Sequence, residues 1–177
     1  GAIVFFAGFQ QQQTTLVLWA RDVCRMDLPE AVSTLNPVFA VAFLASPLAA
    51  WRDLRGRLTL GMLFLAAGFG VLLLGSSLRY LALWYLLATA GEVLISPLGL
   101  DLAGSLVPRR LSAIATALFL SAMSLGGWLA GQLGSLPDLR QAVALSAGLA
   151  LAGALWFHTL VAKPATQIEL RGVLCPL

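Results

Sequence analysis

The chain has 177 residues, of which 59% are hydrophobic and only 11% are charged, whereas soluble domains carry about 25% charged residues. Its mean hydropathy is +0.89, and a soluble fold of this length cannot bury so much apolar surface. The formal charge of +3 requires no nucleic acid as a partner, because a basic rim on one side of a membrane explains it. We therefore predict an all-α, polytopic membrane protein in contact with the lipid bilayer.

Charged residues divide the chain into about six apolar segments, each near the roughly 20 residues that cross a bilayer as a helix. The predicted transmembrane helices cover residues 2–20, 35–51, 58–76, 80–100, 111–133 and 142–162. Residues 1–163 would form this bundle, and residues 164–177 a cytoplasmic tail. Neither a Met nor a basic stretch precedes the first segment, which argues against a signal peptide and predicts that the sequence begins inside a longer protein.

The first predicted span contains a polar cluster, with four Gln and two Thr residues at positions 10–15. The cluster exceeds one helical turn, so its side chains point in different directions at the middle of the membrane. Hydrogen bonding between helices explains any one of these residues as well as contact with a solute does. For the cluster as a whole we favour the wall of a polar cavity that includes Gln10 and Gln11. Asn36, at the start of the second span, either adds an amide to this cavity or caps its helix.

Glu92 is the only acidic or basic side chain in the segment 80–100. A carboxylate at this depth costs several kcal/mol unless it faces the interior of a helix bundle or a watery cavity, so it marks a pathway for a solute or for protons. Pro97 follows within the stretch 96–100, which predicts an interruption of the helix just beyond the glutamate. These features predict a transporter rather than an enzyme.

The orientation in the membrane follows from the Lys and Arg residues of the connecting loops. The positive-inside rule places the richer side in the cytoplasm, which predicts a multi-pass protein of the inner (plasma) membrane with a cytoplasmic C-terminus. One side has seven basic residues and the other has four: Arg52, Arg55, Arg57, Arg109, Arg110, Lys163 and Arg171 against Arg21, Arg25, Arg79 and Arg140.

The two cysteines are predicted to lie on opposite sides of the bilayer, Cys24 outside and Cys175 inside, so they cannot form a disulfide. Neither supports a metal site, and we expect no metal and no cofactor. His158, near the cytoplasmic end of the last span, is interpreted as a helix-end residue rather than a proton carrier. Small residues predict close helix contacts at the GxxxG of positions 127–131 and at Ala144, Gly148 and Ala152.

Several segments resemble the proton-dependent oligopeptide transporters of the major facilitator superfamily. They are residues 5–11 (FFAGFQQ), 35–37 (LNP), and above all 91–100 (GEVLISPLGL) followed by 107–110 (VPRR). The resemblance covers roughly residues 1–162 and implies the C-terminal six-helix half of such a transporter, with a missing N-terminal six-helix half as its partner. It implies proton-coupled symport of dipeptides, tripeptides or related small solutes.

The resemblance also implies roles for individual residues. In that family the glutamate matching Glu92 faces the central cavity and holds the amino group of the peptide, and the asparagine matching Asn36 binds near the peptide carboxylate. The glutamine matching Gln11 belongs to the same cavity, and Ser96 lies in the matched segment after the glutamate. This chain departs from the family at three positions. Bacterial members often have an acidic residue at Gln10, Phe119 replaces a cavity tryptophan of the penultimate span, and Gly127 stands where an asparagine often follows the glycine.

The last ten residues, 168–177, resemble the opening of TusA-type sulfurtransferase domains, in which Arg-Gly leads to a Cys-Pro pair at a helix start. A helix N-terminus favours the thiolate, so this resemblance implies Cys175 as a persulfide carrier. The alternative prediction is thus a transporter fused to a sulfur-relay domain, importing a sulfur-containing solute and passing sulfur to Cys175. A chance match in a cytoplasmic tail is equally open.

Overall fold

The computed structural model describes residues 2–27, 29–46, 53–105 and 107–160. Within these residues all regular structure is helical, which confirms the predicted all-α class. Short 3₁₀ helices lie at Gln10–Gln13, Pro29–Thr34 and Arg109–Leu111. The α-helices of the described residues are α1 (Ala2–Phe9), α2 (Thr15–Asp22), α3 (Leu35–Leu44), α4 (Leu54–Leu74), α5 (Leu78–Ser105), α6 (Ser112–Gly134) and α7 (Leu139–Leu160).

Four helical segments of the described chain are long and apolar enough to cross a membrane, which confirms a multi-span membrane architecture. They correspond to the predicted third to sixth spans and cover Leu54–Leu74, Leu78–Asp101, Arg109–Gly134 and Leu139–Thr159. The second predicted span begins within a shorter apolar helical segment, Ala31–Leu44, and its continuation, with Pro47, lies outside the described residues. The number of six spans stays a prediction.

The first predicted span is not one straight helix. Two helices of eight residues each, α1 and α2, flank the 3₁₀ segment Gln10–Gln13, and Thr14 leaves the helical region with φ −124° and ψ −94°. The polar cluster therefore lies at a bend of the main chain. The hydroxyl of Tyr85 donates a hydrogen bond to the carbonyl of Gln12, with an O–O distance of 3.2 Å, so a carbonyl at the bend has a partner from α5.

The predicted interruption at residues 96–100 is wrong, because α5 continues through Pro97 to Ser105. Proline has no N–H, so the carbonyl of Val93, four residues earlier, loses its helical partner. Arg57 of α4 supplies donors at this point: its Nη2 lies 3.4 Å from the oxygen of Val93 and its Nε 3.2 Å from that of Leu94. A tertiary contact thus allows the helix to pass through the proline.

Helix α4 packs extensively against both α5 and α7. It meets α5 at two glycines: a Cβ atom added to Gly91 would lie 2.6 Å from the carbonyl oxygen of Gly61. Only residues without a side chain permit this approach of the two backbones. The buried side chains of α4 recur at helical spacing and form the core against its neighbours: Leu58, Met62, Leu65, Phe69 and Leu72.

The small residues that make close helix contacts within the described chain differ from those predicted from the sequence. In α6 the buried face contains Gly126, Ala130 and Gly134, and a Cβ atom on Gly126 would lie 2.6 Å from Cβ of Phe6. Gly131 has open space around it. In α7 the predicted stripe is exposed over its whole length: Ala144, Gly148 and Ala152.

The glycine crossing of α4 and α5 provides a stability test in the full-length protein. Gly91→Ala should lower the free energy of unfolding by about 1–3 kcal/mol, because the new methyl group meets a backbone carbonyl that cannot rotate away. Gly131→Ala is the matched control, and it should be neutral or stabilising by up to about 1 kcal/mol, since alanine favours helix more than glycine does. Thermal unfolding in detergent measures both variants. Equal effects of the two substitutions would contradict the close backbone contact between Gly61 and Gly91.

Candidate functional site

Glu92 and Asn36 lie on different helices, α5 and α3, and a hydrogen bond joins them. The amide Nδ2 of Asn36 donates to Oε2 of Glu92 over 3.3 Å, and both side chains are half-buried. The residue that precedes α3 is Thr34, whose side chain makes no capping hydrogen bond. Asn36 itself lies inside the helix, so its amide serves the contact with Glu92 rather than a helix cap.

Two residues that sequence reasoning missed extend this contact. The hydroxyl oxygen of Thr89 lies 2.6 Å from Oδ1 of Asn36 and 2.7 Å from the carbonyl oxygen of Tyr85, so its single proton has two acceptors. Tyr85 in turn donates to the carbonyl of Gln12. Hydrogen bonds thus link Glu92, Asn36, Thr89 and the carbonyl of Tyr85 in one polar chain, and the phenol of the same tyrosine separately contacts the bend of the first span. The signal was present in the sequence, because positions 85, 89 and 92 follow helical spacing and share one face of α5.

Gln11 and Gln10 lie apart from this polar chain. The side chain of Gln11 is fully buried, and its Oε1 accepts hydrogen bonds from the hydroxyl groups of Thr14, at 3.3 Å, and of Thr15. Its Nε2 atom has no hydrogen-bond partner in the described part of the chain. Gln10 is half-buried. Since neither glutamine bonds to Glu92, their predicted place in a cavity wall stays a prediction.

Ser96 and Phe119 lie near the continuation of α5 beyond Glu92. Ser96 follows Glu92 by about one turn and is half-buried. The ring of Phe119, from α6, rests on Gly99, where an added Cβ atom would lie 2.7 Å from Cζ of the ring. The same ring meets Phe6 edge-on, with 5.8 Å between the centroids. Phe119 therefore joins α1, α5 and α6 about two turns from Glu92.

Charged and thiol groups at the end of α2 have local partners of their own. Arg21 Nε lies 2.6 Å from Oδ1 of Asp22, and this hydrogen bond holds the pKa of the Asp22 carboxyl below its usual value. The thiol of Cys24 donates to the carbonyl of Ser76 over 3.2 Å, and burial raises its pKa. No group of three or more possible metal-ligating side chains occurs among the described residues. Cys175 lies outside them.

The contribution of the Thr89 hydrogen bond to stability can be tested in the full-length protein, with the hydroxyl of Thr59 as a control. Thr89→Val should lower the free energy of unfolding by about 1 kcal/mol, because Oδ1 of Asn36 loses its donor. Thr59→Val is the control, since the buried hydroxyl of Thr59 has no hydrogen-bond partner among the described residues. Removing that hydroxyl should be neutral or stabilising. Denaturation in detergent measures both, and a larger loss for Thr59→Val would refute the assignment.

Curated relatives resemble this chain over most of its length, although no protein-family model matches it. Dipeptide and tripeptide permease A of Chromobacterium violaceum is 36% identical over 164 residues, 77% of this chain and 32% of the relative. The permease A of Erwinia pyrifoliae is 37% identical over 131 residues, 62% of this chain and 27% of the relative. That of Escherichia coli is 33% identical over 164 residues, 77% of this chain and 32% of the relative. The chain thus spans about a third or less of these relatives.

Solved structures share the fold. A crystal structure of a variant of the peptide transporter POT matches with a TM-score of 0.77 and 24% identity, covering 94% of this chain and 38% of that one. A variant of the same transporter in complex with alafosfalin matches with a TM-score of 0.73 and 24% identity, covering 94% and 39%. The similar curated proteins are named permeases, which agrees with a transporter rather than an enzyme. Together with the motifs around Glu92, they show that this chain belongs to the proton-dependent oligopeptide transporter family of the major facilitator superfamily.

Proposed function

We propose that the full-length protein is a secondary active transporter that carries dipeptides, tripeptides or related small solutes across the membrane together with protons. The observation that supports this most directly is Glu92, an ionisable group in an apolar helix that accepts a hydrogen bond from Asn36 of another helix. An ionisable residue held in this way is typical of a solute or proton pathway. The names of the curated relatives, dipeptide and tripeptide permeases, support the substrate class.

Glu92 is proposed to bind the amino group of the peptide and Asn36 to act near its carboxylate. The bond from Asn36 occupies Oε2 of Glu92, and the other oxygen, Oε1, accepts no hydrogen bond from the described residues. That oxygen is available either to a proton or to an ammonium group. Because a carboxylate in an apolar site is costly without a positive partner, the glutamate carries a proton in an empty, occluded cavity and a charge when an ammonium group reaches it. This exchange links proton movement to substrate binding.

We propose that residues 1–163 form the C-terminal half of the transporter, with α1 and α2 as one bent span and α3 as the start of the next. The N-terminal six-helix half would lie on another part of the full-length chain, and the site would face it near the middle of the membrane. Alternating access then comes from rocking of one half against the other. The distribution of basic residues supports a cytoplasmic C-terminus in the plasma membrane.

The sulfur-relay alternative is not proposed as the function. The curated relatives are named permeases, and both Cys175 and the tail 164–177 lie outside the described residues. The resemblance of the last ten residues to a sulfurtransferase domain stays a prediction from the sequence.

Glu92→Gln tests the proposed function in proteoliposomes that contain the full-length protein. An inward proton gradient should drive accumulation of a labelled dipeptide by the unmodified protein, and Glu92→Gln should reduce it by at least about tenfold, because a charged hydrogen-bond partner is lost. Asp101→Asn is the matched control, since Asp101 is exposed near the end of the same helix. It should leave uptake close to that of the unmodified protein. Full accumulation by Glu92→Gln would remove this residue from the mechanism.

The remaining members of the proposed site are Gln10, Gln11, Ser96 and Phe119, and Gln11 gives the sharpest test. If the amide of Gln11 contacts substrate in a cavity between this half and the N-terminal half, Gln11→Ala should raise the half-saturating peptide concentration. If its hydrogen bonds with Thr14 and Thr15 are its main role, the same variant should instead lower the unfolding temperature. Uptake kinetics and thermal unfolding on one preparation separate the two, and unaltered kinetics with lost stability would exclude Gln11 from the site.

A further inference from the structure

We propose that Arg57 is a positioning residue for Glu92: its guanidinium group holds α5 where Pro97 breaks the helical hydrogen bonding, and this sets the place of Glu92 relative to Asn36. The inference rests on the proposed function only where it concerns peptide transport. Its structural part depends on the contacts between α4 and α5 alone.

The break in hydrogen bonding lies one residue beyond Glu92. Pro97 stands inside α5 and cannot donate to the carbonyl of Val93. A proline ring also pushes the preceding turn aside, which weakens the bonds on either side of it. An unpaired carbonyl in the interior of a membrane protein is costly, so a partner from elsewhere stabilises the helix.

Arg57 supplies that partner with two separate donors. Its Nη2 lies 3.4 Å from the oxygen of Val93, and its Nε lies 3.2 Å from the oxygen of Leu94. Two donors in a rigid planar group fix direction as well as distance, which a lysine or a glutamine cannot reproduce. The side chain is half-buried, so these bonds are partly shielded from water.

The approach of α4 and α5 makes this reach possible. Arg57 lies one turn before Gly61 on α4, and Val93 lies two residues after Gly91 on α5. The two glycines meet backbone to backbone, which brings the main chain of α5 within reach of the guanidinium group. Glu92 therefore stands between two attachment points of α5 to α4, the glycine contact on one side and the contact with Arg57 on the other.

This arrangement leaves little freedom to the helix turn that carries the carboxylate. The side chain of Glu92 meets Asn36 of α3 over 3.3 Å, close to the upper limit of a useful hydrogen bond. A small rotation or shift of α5 at this turn would break that contact. Arg57 thus acts on the substrate site through the backbone, without touching the substrate.

The test uses the full-length protein with five variants: Arg57→Gln, Arg57→Lys, Pro97→Ala, the double variant Arg57→Gln with Pro97→Ala, and Arg55→Gln. Pro97→Ala restores a backbone N–H at position 97 that can donate to the carbonyl of Val93, so Arg57 becomes dispensable in that background. Arg55→Gln is the matched control, because it removes the same charge two residues earlier on α4, where the buried Nε of Arg55 has no hydrogen-bond partner among the described residues. Unfolding temperature and peptide uptake are measured for each variant.

Spin-label distances report the geometry directly. With the native cysteines replaced by serine, labels at Leu63→Cys and Asp101→Cys span α4 and the part of α5 beyond Pro97. Labels at Leu63→Cys and Leu83→Cys span α4 and the part before it. All three positions are exposed in the described chain, and the second pair is the control for the first.

Arg57→Gln should broaden or shift the distance between positions 63 and 101, leave the distance between 63 and 83 unchanged, and raise the half-saturating peptide concentration by about tenfold, as expected for the loss of a charged hydrogen-bond donor. The changes caused by Arg57→Gln should be much smaller when Pro97→Ala is also present. Arg57→Lys should retain the distances and the half-saturating concentration of the unmodified protein only in part. Arg55→Gln should match the unmodified protein.

Equal effects of Arg57→Gln and Arg55→Gln, or strictly additive effects of Arg57→Gln and Pro97→Ala, would overturn the inference. If the unmodified protein takes up no peptide, the proposed function fails, and the distances and unfolding temperatures still decide the role of Arg57. Altered distances with unchanged half-saturation would also overturn it, because the contact would then be structural without positioning the site.

Discussion

The interior of a bilayer offers no water to backbone groups, so every break in helical hydrogen bonding must find a partner inside the protein. The described chain has two such breaks close to its polar residues, the 3₁₀ segment Gln10–Gln13 and Pro97. At each of them a side chain from another helix donates to a carbonyl: Tyr85 at the first, Arg57 at the second. Helix α5 takes part in both contacts, as donor in one and acceptor in the other. The position of Glu92 depends on this helix, and hence on both.

The sequence alone predicted the features that depend on local chemistry, namely the long apolar helices and the carboxylate within one of them. Long apolar segments separated by charged loops predicted α4 to α7, and a single carboxylate in such a segment identified Glu92 before its partner was known. It failed where distant residues determine the structure. Pro97 is expected to end a helix by local rules, yet α5 continues through it, and Arg57, 36 residues from Val93, donates to the carbonyl that the proline leaves without a partner. The bend of the first span likewise receives its donor from Tyr85, 73 residues from Gln12. No local pattern contains these pairings.

The small-residue faces show a second limit of sequence reasoning. Helix α6 contains two glycine patterns that overlap with an offset of one residue, and the visible GxxxG at 127–131 is not the buried one. The buried face, Gly126, Ala130 and Gly134, is selected by its neighbours, since Gly126 meets Phe6 and Gly134 meets Thr15. When a helix is apolar on all sides, its sequence pattern does not indicate which face is buried. In α7 the exposed stripe at 144–152 reflects the same ambiguity.

The hydroxyl of Thr89 has a second acceptor besides Asn36, which is what the proposed rearrangement of the site would require. Its proton has two acceptors at nearly equal distance, Oδ1 of Asn36 at 2.6 Å and the carbonyl of Tyr85 at 2.7 Å. If Asn36 moved away from Thr89, this proton could turn fully to the carbonyl of Tyr85, and no buried hydroxyl would be left unpaired. Tyr85 keeps its own bond to Gln12 meanwhile. The second acceptor of Thr89 would therefore allow Asn36 to separate from Glu92 while α5 keeps its bond to the bend of the first span.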